Sequence, residues 1–182
     1  SDIERLVEEV EKHLKELEDE IRKSSEELKR LAEEISRDIR RTSEELKKLI
    51  EDIKDTIRRD GTRDEIERRL EEAIRRSRER LERLKERLDR SVKESRKKLK
   101  RLEENHRELL KRLEDRLREI ELPKEKIDRL RKILEESEKR LEELARENER
   151  TVKEVKKEID DMVRENEETA KRLLDEVRET LR

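Results

Sequence analysis

Few residue types in this chain can do chemistry beyond charge and hydrogen bonding. Its 182 residues include 56 Asp or Glu and 54 Lys or Arg, two His (His13 and His106), and no Cys, Tyr, Trp or Phe. Without thiols there is neither a disulfide nor a thiolate metal site. A hydrolytic set needs a Ser or Thr nucleophile, a His base and an orienting acid, and a phosphate cradle needs a glycine-rich loop. Neither pattern occurs, and the chain holds a single glycine, Gly61. Adjacent carboxylates such as Asp160-Asp161 are common on solvated faces and carry no acid–base signal. Two His with no Cys or acid in the apolar pattern make a poor zinc site. The expectation is therefore no enzyme, no catalytic or metal residue, and no cofactor.

The polar groups that stand out are Ser, Thr and Asn, and their meaning depends on the elements that carry them. Charged residues make up 60% of the chain and apolar ones 27%, yet the net charge is only -2. Disorder normally accompanies low hydrophobicity with high net charge and no periodicity; here charges balance and apolar residues recur regularly. Long helices fit. Ser1 with Glu4 reads as a capping box; Asp60-Gly61-Thr62 reads as a helix stop, with Thr62 and Glu65 opening the next helix. Pro123, lacking an N–H, suits a helix start after Glu121-Leu122. Three near-equal helices follow, about 2–60, 63–121 and 123–181, within a single domain spanning 1–182. At 1.5 Å per residue each is roughly 85–90 Å long, and turns this short make neighbours antiparallel.

An 18-residue repeat runs through all three helices. Ile3, Ile21, Ile39 and Ile57 share its phase, Arg22–Leu31 recurs as Arg40–Leu49, and Arg146–Lys153 recurs as Arg164–Lys171. Eighteen residues are five turns at 3.6 per turn, so a side chain returns to one azimuth and no supercoil is needed. The fold expected is all-α: a long, nearly straight, antiparallel up-down-up three-helix bundle, coiled-coil-like. Each helix has one apolar stripe, which favours a monomer with an axial core.

Polar residues interrupt the stripes at matching heights. Antiparallel pairing aligns positions summing to about 123 in helices 1 and 2 and about 243 in helices 2 and 3. Ser24, Ser25, Ser95, Asn148 and Thr151 then form one layer. Thr42, Ser43, Ser77, Asn166 and Thr169 form a second, roughly 27 Å away. They look like copies of one buried hydrogen-bond network, with Asn148 and Asn166 as hubs. Hydroxyls and amides could also hold a ligand or ion, but penalising slipped pairings that strand a polar group is the simpler role. His106, with Ser137 at its height, suggests a third, smaller layer held by an end-layer hydrogen bond; His13 lies on a stripe edge nearby.

The charged faces differ in sign. Basic and acidic residues number 15 and 20 in 1–60, 22 and 17 in 63–121, and 17 and 19 in 122–182. From Arg75 to Arg101 the excess is 14 basic to 5 acidic. That stretch on its own suggests a polyanion surface, but complementary flanking charges also select which helices pair, and no aromatics stand ready to stack on bases. No nucleic acid, membrane or obligate partner is expected. No apolar run approaches a membrane span and no signal sequence is visible, so a soluble protein with no readable compartment is expected.

Taken together, near-equal helices, loops such as Asp60-Gly61-Thr62 and Leu122-Pro123, the geometric repeat, Glu/Lys/Arg surfaces and repeated Ser/Asn/Thr layers resemble de novo designed helical bundles. The resemblance covers the whole chain. It implies a scaffold or building block with buried hydrogen-bond networks added for specificity. Two other readings remain open: an interaction module, either a self-assembling subunit or a bundle that accepts a partner helix, and a natural coiled-coil spacer.

Overall fold

The computed structural model describes residues 2–59 and 63–182. Helix α1 spans Asp2–Arg58, α2 Arg63–Glu119 and α3 Lys124–Leu181, and there is no strand among the described residues. The protein is an all-α three-helix bundle. Ser1 of the first capping box, the Asp60-Gly61-Thr62 turn and the Thr62 half of the second box lie outside the described residues.

Local chemistry explains the helix ends. Acidic side chains open each helix (Asp2 and Glu4, Asp64 and Glu65, Glu125) and basic ones close it (Arg58, Arg116 and Arg118, Arg178), which complements the backbone dipole at both ends. Pro123 stands just before α3, and its carbonyl accepts from the N–H groups of Lys126 at 3.0 Å and Ile127 at 3.2 Å. Its missing N–H therefore removes no helical bond.

By its contacts the chain divides into two compact units, and every helix contributes a segment to each. Unit 1 comprises residues 1–28 and 91–153; unit 2 comprises 29–90 and 154–182. In unit 1, Ile3 and Val10 of α1 pack with Leu109, Leu110, Leu113 and Leu117 of α2, and half-buried Leu130 and Leu134 of α3 close that cluster. A second cluster joins Leu17 and Ile21 to Leu99 and to Leu141 and Leu144. In unit 2, Leu46, Ile50 and Ile53 meet Ile66 and Leu70 and, from α3, Leu173 and Val177. Fully burying one such side chain contributes about 1.5–3 kcal/mol before chain entropy is subtracted, so the apolar stripes supply most of the gross stabilisation. Among the described residues no large hydrophobic side chain is exposed.

Ion pairs show the chain directions within each unit. In unit 1, Asp2 meets Arg116 and Glu20 meets Lys98, so α1 and α2 run antiparallel there. In unit 2, Glu34 with Arg87 and Glu45 with Arg80 report the same for α1 and α2, and Asp160 with Lys85 and Lys156 with Asp89 for α3 and α2. Among the described residues no helix is long and apolar enough to cross a membrane.

Candidate functional site

The residues singled out for chemistry are the polar positions of the core. In unit 1, Ser24 and Asn148 are buried, while Ser25, Ser95 and Thr151 are half-buried. In unit 2, Thr42, Ser77 and Asn166 are buried, while Ser43 and Thr169 are half-buried. Burial thus follows the 18-residue repeat closely; Ser95 is more exposed than its equivalent Ser77.

The hydrogen bonds do not follow the repeat. In unit 1 the hydroxyls of Ser24 and Ser95 bond each other across α1 and α2. The equivalent of Ser24 is Thr42, whose hydroxyl donates instead to the Asp38 carbonyl of its own helix at 2.8 Å. Thr151 likewise donates to the Glu147 carbonyl at 3.1 Å. The difference has a local cause: a β-branched Thr in a helix holds its hydroxyl against the preceding turn, whereas Ser can turn toward a neighbour. The two asparagines diverge as well. Asn166 donates its Nδ2 to the Ile39 carbonyl of α1 at 3.3 Å, while Asn148 Oδ1 is buried with no partner.

At the other end of unit 1, His106 is 1% exposed and Ser137 is buried. Neither ring nitrogen of His106 has a hydrogen-bond partner, so the expected end-layer bond is not made. Burial pushes its imidazole below the ordinary histidine value, and His13 on α1 adds repulsion in the same direction. His13 is half-buried, with Nδ1 3.8 Å from Glu16. Among the described residues no group of three or more His, Cys, Asp or Glu is placed to hold a metal ion.

One buried polar group gives no signal at sequence level. Ser36, in the unit 2 part of α1, is buried with an unpartnered hydroxyl. It has no counterpart one repeat away, because positions 18 and 54 are Glu18 and Lys54. Only the apolar phase of α1, placing it beside Ile35 and Ile39, could have marked it.

Surface openings adjoin the polar positions of each unit. In unit 1, a crevice of about 210 Å³ is lined by Ser24, Ser91 and Ser95 with Glu20, Glu94 and Lys98. In unit 2, Ser77 borders two: about 470 Å³ with Thr42, Leu46 and Ala73, and about 580 Å³ with Asn166, Ala170 and Leu174.

The charged faces order the helices. Among the described residues, the ion pairs Asp2–Arg116, Glu20–Lys98, Glu34–Arg87 and Glu45–Arg80 join α1 to α2, each with the acid on α1 and the cation on α2. Lys98 is held above its ordinary value chiefly by the bond it donates to Glu20. Within the Arg75–Arg101 stretch, Arg75, Arg76, Arg80, Lys85, Arg87, Arg96 and Lys98 pair with acids among the described residues.

Among solved structures, the chain is similar to one described as a "Computationally designed three helix bundle", with 21% identity over 98% of this chain and 90% of that chain and a TM-score of 0.58. That likeness is one of fold. No protein family matches the chain, and no curated protein matches it.

Proposed function

We propose that the protein is a designed structural scaffold or building block with no natural biochemical activity, in which repeated buried polar positions set helix register. The observation that carries this reading is the recurrence of polar core residues at the 18-residue repeat on every helix, Ser24 and Thr42, Ser77 and Ser95, Asn148 and Asn166, in a chain with no catalytic constellation. The chain's likeness in fold to a computationally designed three-helix bundle supports this reading. A buried polar residue costs stability unless it is bonded, and its best-attested use is to penalise wrong registers. Replacing Ser24, Ser25, Ser95, Asn148 and Thr151 together by packed apolar residues tests the role. Stability is expected to hold or rise while slipped or intermolecular species appear in sedimentation. A strong loss of stability in that variant would mean the layer supports folding itself.

A second reading, an interaction module that self-assembles or takes a partner helix, draws on one observation. In unit 2 a groove of about 720 Å³ between α2 and α3 is lined by Ile74 and Leu174 together with charged side chains such as Arg75, Arg78 and Arg178. Sedimentation separates the readings: a stable mass near 22.5 kDa at micromolar concentration is expected of the scaffold, and a dimer or larger species would favour the module.

A further inference from the structure

His106 interrupts the core of unit 1. It lies between the cluster of Val10, Leu109 and Leu110 and the cluster of Leu17, Leu141 and Leu144, and no side chain bonds either of its ring nitrogens. We propose that His106 makes unit 1 acid-sensitive: protonation of its buried imidazole opens the helix packing around it, with no matching effect in unit 2.

The geometry argues for this from every side. On α1 the group acting on His106 is His13, which opposes charge on its ring, and Glu16 lies 3.8 Å from His13 Nδ1. On α2 itself, half-buried Glu103 lies one turn back; burial raises its carboxyl, although Arg107 opposes that. On α3 the apolar or neutral side chains at this height are Ile133, Leu134, Ser137 and Leu141. Arg140, the adjacent cation, is occupied by Glu18 and Glu143. An imidazolium in the closed unit would therefore be a buried charge with unpartnered N–H donors, a costly state.

The neutral ring is tolerated because it only forgoes hydrogen bonds. A histidine lowered in the folded state leaves stability intact above its unfolded value of about 6.5, and stability falls as pH drops below that value toward the folded one. One proton taken up on opening changes the opening equilibrium by at most tenfold per pH unit. Both histidines of the chain belong to unit 1, so unit 2 has no group of this kind.

The test is amide hydrogen exchange of the full chain from about pH 7.5 to about 4.5, corrected for intrinsic exchange rates, with His106 ring shifts followed by NMR. Protection around residues 10–17 and 102–113 is expected to fall by up to tenfold per pH unit below about 6.5 while residues 66–88 and 154–177 keep theirs. His106→Leu should abolish the fall. Should His106→Leu not fold, His106→Gln, neutral and polar, serves in its place. The proposal is overturned if unit 1 protection stays flat to about pH 4.5, if it falls equally in unit 2 or in both His106 variants, or if the ring titrates at its ordinary value in a fully protected unit 1.

Discussion

Asn148 and Asn166 occupy equivalent places in the repeat yet face different demands. Asn166 spends an N–H on the Ile39 carbonyl, whereas Asn148 keeps a buried acceptor without a donor. Leaving a buried polar atom unpaired costs about 1–3 kcal/mol, and a Leu in its place adds apolar burial. Asn148→Leu is thus expected to be neutral or stabilising, and Asn166→Leu less favourable by about 1 kcal/mol, as read from denaturant melts of the two variants. Equal effects would mean that the two asparagines have the same partners. The identity and burial of these residues were legible from spacing alone, because an 18-residue interval preserves azimuth. Their partners were not, since a hydroxyl or amide chooses among donors and acceptors within a few ångströms, which periodicity does not encode. The Thr42 case was readable in principle, because β-branching at that position directs the hydroxyl to its own helix.

At the scale of elements, the helices follow directly from the alternation of apolar and charged residues, and their ends from Pro123 and the first-turn acids. The structure starts α3 at Lys124, one residue after the proline, because the proline carbonyl rather than its ring opens the helix. Helix α2 stops at Glu119, since the apolar phase that reaches Ile120 and Leu122 serves packing without requiring helical backbone there. Pairing between α1 and α2 has a consistent sign, with acids on α1 and cations on α2. Solvent and salt screen such surface pairs, so each contributes little by itself. Reversing Glu34 and Glu45 to Lys should lower the melting temperature modestly at low salt, and the difference should shrink at about 1 M salt, where charges are screened within about 3 Å. A salt-independent loss would point to packing of the side-chain stems instead.

For the molecule as a whole, helix propensity, apolar phase, end charges and ion-pair signs point the same way, the condition under which a sequence specifies one fold. A cooperative melt above about 60 °C, beyond the range of most mesophilic domains, is expected by circular dichroism. A broad transition below that would mean that the unpartnered Ser36, His106 and Asn148 cost more than the apolar stripes return. Architecture was open to reading because nearly every residue reports on it. Activity was not, because the polar residues left over after charge pairing are those that packing itself uses.

Unit 1 is closed by partners far apart along the chain: Asp2 meets Arg116 across 114 residues, and Glu18 meets Arg140 across 122. A ribosome adding about 5–20 residues per second needs on the order of ten seconds to deliver such a partner. Until that partner is made, Ile3 and Val10 lack the α2 and α3 side chains that cover them in the folded unit. Glu8, Glu9 and Glu11 around that stripe are exposed, and charge of this kind keeps an uncovered apolar segment hydrated.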